Sequence, residues 1–507
     1  MQSISFSFAC LYCLLSISVA VPSNLSRTPP QGWMSWQTFR CATNCTAAPE
    51  ACIDEDLYKE MGDALISTGL AAVGFNSIHL DDCIMDKSGR DPISNELQAD
   101  PIRFPSGFKA LGDYLHSKGL TMAMYTAESS STCGGWPGSR GFEQLDAQTF
   151  AKWGADYLKA DGCGDPQYYS EGYAAMGNAL QNSGRDIIFS CSWPAYLGDD
   201  ETLKPFGTMI NDGCNLWRNF IDMGPTVGYM QGVLEHFGNY SEYLSLWAGP
   251  SHWHDPDQLL LGSDAISDDA ATSQLALYSI LAAPLILGTD IRKMKPSHLA
   301  LLLNKDVLAI NQDSLGKAGI RLGGIAASNN ETQVWIRPLA NGDVAVALYH
   351  AGLPSQHPWH TACDANSTNI TSGGYFAPLG EQPISWCFAP GAFGQSLLDW
   401  YCCNDDDCAG YNVSTTTGAG CLFKNTDGNF VSSTSDVYGY RKVNYIKPTG
   451  QAKVISFDFS SVGLFPNAKT RIYDVFAQKV VLDTNASSYS TFVNWKGTVL
   501  LRISQTW

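Results

Sequence analysis

The sequence predicts an α/β chain, a (β/α)8 TIM barrel followed by an antiparallel β-sandwich that carries a Cys-rich insertion. Three observations predict it. From Gly32 to about Asp290, short apolar runs alternate with longer amphipathic ones, the grammar of strands followed by helices. In that stretch the polar residues gather at or just past the ends of separate runs. Beyond about Gly319 the period changes to two, as it does in antiparallel strands with one wet face.

The elements follow in order. Residues 1–20 carry no charge, and 6–17 form an apolar stretch that ends at Ser18-Val19-Ala20. A secretory leader cut after Ala20 is expected, because a membrane anchor needs about 20 predominantly apolar residues. Residues 73–80, 120–125, 157–160, 187–191 and 285–287 read as buried strands. Helical patterns alternate with them, for example Leu57, Met61, Leu65 and Thr68 after the cap Asp54, ahead of the first run. Asp81-Asp82, Tyr125, Lys159 with Asp161, Ser192 with Trp193, and Arg218 with Asp222 stand at the run ends. A barrel collects the carboxyl ends of its strands around one mouth and builds active sites there. No glycine-rich dinucleotide fingerprint follows the first strand, which disfavours a doubly wound sheet. The barrel is expected over 21–318 and the sandwich over 319–507, with strands at 332–337, 344–348, 454–459 and 498–503. Residues 352–439, rich in Gly, Ser, Thr, Asn and Cys, read as a disulfide-stapled insertion.

Composition narrows the function classes. The 507 residues are 45% hydrophobic and 16% charged, enough to bury large cores. A net charge of −18 excludes broad attraction to nucleic acid or anionic lipid. Of 16 cysteines, Cys10 and Cys13 leave with the leader and 14 remain, an even number suited to pairing in an oxidising lumen. Eight of those lie between Cys41 and Cys214, and six between Cys363 and Cys421 allow 15 pairings. Eight N-glycosylation sequons begin at Asn24, Asn44, Asn239, Asn330, Asn366, Asn369, Asn412 and Asn485. Together these place the chain in the secretory pathway, lysosomal or extracellular, with no membrane span.

Lys159-Ala160-Asp161-Gly162-Cys163 puts a carboxylate just past a buried strand and beside a cation that favours its ionised, nucleophilic form. Asp222 follows Arg218 by four residues, a spacing that by itself is commonly a solvated ion pair. Two carboxylates at separate strand ends, among Trp33, Trp36, Trp193 and Trp217, fit a sugar site. Aromatic faces pack on pyranose C–H groups, and paired carboxylates perform glycosidic acid–base chemistry.

These residues resemble family-27 glycoside hydrolases, the retaining α-galactosidases and α-N-acetylgalactosaminidases, in their animal-type branch. The likeness is carried by Thr28 to Trp36, Leu80-Asp81-Asp82-Cys83, Leu97 to Pro101, Arg103-Phe104-Pro105, Asp146 to Phe150, Lys159 to Cys163, Trp217-Arg218-Asn219, Asp255-Pro256-Asp257 and Ala309 to Asp313. The resemblance implies Asp161 as nucleophile and Asp222 as general acid/base. It implies that Asp81 and Asp82 bind the far hydroxyls of the sugar, that Lys159 and Tyr125 also touch it, and that Trp33 forms an apolar wall. Arg218 would hold the group on carbon 2, and Cys133, Cys163 and Tyr196 would border the sugar. The implied disulfides are Cys41–Cys83, Cys45–Cys52, Cys133–Cys163 and Cys191–Cys214. No cofactor and no metal is implied, and a homodimer is. The chain departs from the pattern at Thr126-Ala127-Glu128, Ala160 and His254. His252 and His254 beside Asp255 and Asp257 read as structural rather than as metal ligands.

Selectivity turns on Ser190 to Tyr196. In the resembled family, α-galactosidases carry a Glu and a Leu where this chain has Ser192 and Ala195, and the α-N-acetylgalactosaminidases carry Ser and Ala. The smaller pair leaves room for an N-acetyl group, so the expected substrate is a glycoconjugate ending in α-GalNAc, with α-galactose accepted more weakly. The alternatives are an α-galactosidase and, in another class, a catalytically silent sugar-binding protein.

Overall fold

In the computed structural model, eight short parallel strands stand side by side in chain order, from β1 (Gln31–Met34) through β2 (Ser77–His79), β3 (Thr121–Ala127), β4 (Tyr157–Asp161), β5 (Ile188–Cys191), β6 (Leu216–Arg218) and β7 (Trp253–Asp255) to β8 (Leu285–Leu287). The structure describes residues 24–506 apart from 264–265, 329 and the segment 353–450, within which only strand backbones are described. The expected leader thus lies outside the described residues, and so does most of the expected insertion at 352–439. β8 pairs back onto β1. The remaining seam is closed where Leu259, just past β7, bridges to Leu287, with Leu259 N donating to Ile286 O at 2.7 Å. The sheet is therefore a closed barrel with no exposed edge.

Two of the sequence-predicted elements show how local chemistry sets the bounds. The helix after Asp54 runs Glu55–Ser67, with Leu57 N donating to Asp54 Oδ1 at 2.9 Å and Leu57, Met61 and Leu65 buried. Residues 73–80 are only in part a strand. Ala71–Val73 forms a 3-10 turn closed by Gly74 at φ 111°, a left-handed geometry that suits glycine, and β2 begins at Ser77.

Inside the barrel the two-residue period of the strands sets the depth of each side chain. Ala123, Tyr157, Leu216 and Trp253 pack together as the floor, with Ala282 and Ala318. Two residues further along the same strands come Tyr125, Lys159, Arg218 and Asp255, and two further again on β4 comes Asp161. One face of each strand thus passes from an apolar floor to a charged mouth.

The C-terminal part is antiparallel. Its six-stranded sheet contains β9 (Ile320–Arg321), β10 (Thr332–Pro338), β11 (Val344–His350) and the strands Lys469–Asp474, Lys479–Asn485 and Thr498–Thr506. Strands Lys453–Asp458 and Ser488–Val493 pair separately. The alternation along β11 is apolar on both faces. Val346 and Leu348 join Leu501, Ile503, Ile455 and Phe457 in the sandwich core. Ala345, Ala347 and Tyr349, with Leu500, face the barrel's own core. Polar bonds tie the two parts: Arg337 Nη1 donates to Ser279 O at 2.6 Å, and Thr498 Oγ1 to Ser273 Oγ at 2.9 Å.

Candidate active site

The mouth is built from the carboxyl ends of β1 to β7. At the end of β4, Asp161 accepts hydrogen bonds on both oxygens. Tyr125 Oη donates to Oδ2 at 3.0 Å, and Tyr196 Oη donates to Oδ1 at 2.8 Å. Register explains the first contact, since Tyr125 pairs with Lys159 and Ala127 with Asp161 across β3 and β4. Gly162 permits the second, because a Cβ there would lie 2.7 Å from the Tyr196 ring. Burial, and then the negative charge of Asp161, holds both phenols above their ordinary pKa, so they remain donors. The disulfide Cys133–Cys163 lies beside this corner, with Cys133 Sγ 3.4 Å from Tyr196 Oη.

Sequence adjacency pairs Lys159 with Asp161, but its hydrogen bond goes elsewhere. Lys159 Nζ donates to Asp81 Oδ2 at 2.7 Å, both side chains being buried. Burial works against the ammonium, but Asp81 and Asp161 outweigh it and hold Lys159 above its usual range. Asp82 accepts from Gly134 N at 2.7 Å and Cys83 N at 2.6 Å, and burial raises its proton affinity. Cys83 and Cys163 follow these carboxylates at φ 73° and 56°. The left-handed geometry is uncommon for a residue with a side chain, and disulfides Cys41–Cys83 and Cys133–Cys163 anchor both turns. The remaining barrel cysteines pair as Cys45–Cys52 and Cys191–Cys214.

Across the mouth, Arg218 at the end of β6 is buried while the Asp222 side chain is 64% exposed. Arg218 Nη2 donates to Asp222 Oδ1 at 3.1 Å, and Nη1 lies 3.2 Å from Asp257 Oδ1. Desolvation raises the proton affinity of Asp222, but the charges of Arg218, Lys159 and Arg40 outweigh it and the net shift is downward. Arg218 is thus held between two carboxylates. The second of these, Asp257, is a site residue that sequence reasoning did not single out, although Asp255-Pro256-Asp257 stood among the matching motifs. Burial, with Asp257 adjacent, raises Asp255 to about 6.

The other candidates fall around these groups. Trp33 is fully buried in β1, and its Nε1 donates to Thr289 O at 2.7 Å. Ser192 and Ala195 lie just past β5, and Ser192 Oγ is buried with no hydrogen-bond partner among the described residues. Glu128 has both carboxyl oxygens in the same condition. Burial, then Glu143 and Asp146, raises it to about 8, while its N–H donates to Asp161 O at 2.7 Å. His254 has both ring nitrogens engaged, Nδ1 receiving Trp217 Nε1 at 2.8 Å and Nε2 lying 2.9 Å from Leu244 O. Burial lowers it to about 4. Among the described residues, the Cys–Asp groupings close enough to hold a metal are Cys45, Cys52, Asp54 and Cys133, Asp161, Cys163, and their sulfurs are tied up as disulfides. No helix among the described residues is long and apolar enough to cross a membrane.

The chain is similar in sequence to known glycosidases. The melibiase family model described as alpha galactosidase A matches residues 28–313. Human alpha-galactosidase A is 41% identical over 335 residues, covering 65% of this chain and 75% of that protein. Alpha-N-acetylgalactosaminidase of Gallus gallus is 41% identical over 329 residues, covering 64% and 80%. The crystal structure of alpha-galactosidase I from Mortierella vinacea superposes with a TM-score of 0.65 at 22% identity, covering 95% of this chain and 98% of that one. At that identity it speaks for the fold alone.

Proposed function

The chain belongs to the melibiase family of alpha-galactosidases and alpha-N-acetylgalactosaminidases and is a glycoside hydrolase; from that premise we propose that it releases terminal α-GalNAc, and α-galactose less readily, with retention of anomeric configuration. The observation that carries the reading is the pair of unlike carboxylates across one mouth. Asp161 is fixed by two phenols at the end of β4, and Asp222 is exposed to solvent beside Arg218.

In the proposed reaction a carboxylate oxygen of Asp161 attacks the anomeric carbon as Asp222 gives its proton to the departing glycosidic oxygen. The glycosyl–Asp161 ester forms and the aglycone leaves as an alcohol. Asp222, now ionised, takes a proton from water, whose oxygen displaces Asp161 from the same carbon and regenerates both carboxyls. Tyr125 and Tyr196 aim Asp161, each a charge-assisted bond worth about 1.5–3 kcal/mol. Asp81 and Asp82, with Lys159 held against Asp81, offer acceptors and donors to the far hydroxyls of the sugar. Arg218 steadies the group at carbon 2.

Two features support GalNAc. Ser192 has a buried hydroxyl with no protein partner among the described residues, which suits an acetamide. Ala195 leaves space for the acetyl methyl. An apolar gap left unfilled costs about 1–3 kcal/mol, so galactose remains a substrate. Comparing kcat/KM on aryl α-GalNAc and aryl α-galactoside tests this. The reading expects GalNAc to win by about tenfold or more, and a preference for galactose overturns it. Ser192→Glu with Ala195→Leu is expected to reverse the order. The disulfides, the sequons and the apolar leader support entry into the secretory pathway.

A further inference from the structure

The loop that carries Asp222 is tied to the mouth on either side of that residue, Arg218 Nη2 donating to Ile221 O at 3.0 Å and Met223 N to Asp257 Oδ2 at 2.6 Å. Ile221 and the Asp222 side chain are exposed, and Arg218 Nη2 donates to the Asp222 carboxylate. Its root is held differently. Asn219 is fully buried and is tied into the protein through its amide nitrogen and its carbonyl. Its Nδ2 donates to Glu201 Oε2 at 2.9 Å, and its carbonyl accepts from Lys204 Nζ at 2.6 Å. The next residue, Phe220, lies flat on the His236 ring at 3.8 Å with 4° between the planes.

These contacts converge on one carboxylate. Glu201, in the 3-10 turn Glu201–Leu203, has 0% exposure. Its Oε1 accepts from Lys204 Nζ at 2.8 Å and from His236 Nε2 at 2.6 Å, while Oε2 accepts from Asn219. The β5–β6 connection, the root of the loop after β6 and the helix Val227–Leu244 therefore meet at a single buried ion. A buried ion pair adds little net stability over an apolar substitute, but it fixes geometry, because each donor direction is specified.

We infer that Glu201 is a positioning residue for Asp222. Through Asn219 and the His236–Phe220 stack it sets where the acid/base carboxyl stands relative to the leaving oxygen, without itself touching the sugar. The inference rests on the reading of Asp222 as acid/base. Glu201→Gln keeps the shape but turns a donor toward groups that already donate. Displacing the acid by a fraction of an ångström penalises leaving groups that need a proton and spares those that do not.

The test measures kcat/KM of wild type, Asp222→Asn and Glu201→Gln on an alkyl glycoside and on a dinitrophenyl glycoside of the preferred sugar, with thermal unfolding run alongside. Glu201→Gln is expected to lose about tenfold or more on the alkyl glycoside, less than the roughly 10²–10⁴ that general acid–base catalysis supplies, and under about twofold on the activated one. Added azide, which needs no base, is expected to rescue part of its turnover. An equal loss on both substrates, or no loss, overturns the positioning role, since general destabilisation lowers both alike. If Asp222→Asn itself shows no dependence on the leaving group, the parent reading fails instead. Should Glu201→Gln not fold, Phe220→Leu removes only the stacked ring and carries the same two-substrate test.

Discussion

Asp161 ends a five-residue strand and is met by two phenols, a neighbouring disulfide and a glycine that lets one phenol approach, whereas Asp222 stands four residues beyond its strand, 64% exposed, against one arginine. The two corners face different chemical demands. A nucleophile that forms a covalent bond gains from being fixed along one line of attack. A group that exchanges protons with an aglycone and then with water must be reached by both, so it is left open and held from behind. On the proposed roles, and with Glu201 acting as inferred, positioning in this mouth is local for one carboxylate and partly remote for the other.

The largest expected effect breaks the comparison at its rigid side. Asp161→Asn is expected to lower kcat at least about 10³-fold on every substrate, activated or not, because no leaving group substitutes for the nucleophile. Initial rates on alkyl and dinitrophenyl glycosides check this, and a normal rate on either removes Asp161 from its role. Asp222→Asn is expected to cost about 10²- to 10³-fold on the alkyl glycoside and much less on the activated one in kcat/KM. A uniform loss contradicts the division of labour between the corners.

Smaller changes sharpen it. Tyr196→Phe removes one of the two phenols, and kcat is expected to fall about tenfold with KM nearly unchanged. Unchanged kcat in that variant means that Tyr125 and the β4 backbone suffice to aim Asp161. The smallest effect concerns pH. Desolvation by the walls of the mouth raises the proton affinity of Asp222, yet Arg218, Lys159 and Arg40 prevail and leave it lowered, so in the free enzyme its acid form is lost as pH rises through that depressed value. Activity on poor leaving groups is therefore expected to increase toward acid pH. Arg218→Gln removes the nearest cation, and the alkaline limb of kcat/KM is expected to move up by about one unit, the low end of such shifts for a group this exposed. A limb that stays in place or moves down shows that another group governs it.

Much of this was legible in the sequence because strand-end residues declare themselves. The runs at 120–125, 157–160 and 187–191 located β3, β4 and β5 to within a few residues. With them came Tyr125, Lys159, Asp161 and Ser192. β6 and β7 escaped because Leu216-Trp217-Arg218 and Trp253-His254-Asp255 mix apolar with polar residues, whereas the equally short β8 is the wholly apolar Leu285-Ile286-Leu287. Lys159 and Asp161 were read as partners because they are near in sequence. The bond to Asp81, 78 residues away, follows from how β2, β3 and β4 sit side by side. Glu201 was invisible for a similar reason, since its partners Asn219 and His236 lie 18 and 35 residues downstream and meet only once the barrel closes. Sequence displays which residues end strands, while closure decides which of them touch.

Covalent trapping tests the central claim most directly. An activated 5-fluoro glycosyl donor of the preferred sugar forms the glycosyl–enzyme ester faster than water removes it, and peptide mass spectrometry locates the label. The account predicts one glycosyl adduct, on Asp161, absent from Asp161→Asn and released with retained configuration on reactivation. A label on another carboxylate, or inverted product in a turnover followed by proton NMR, contradicts it.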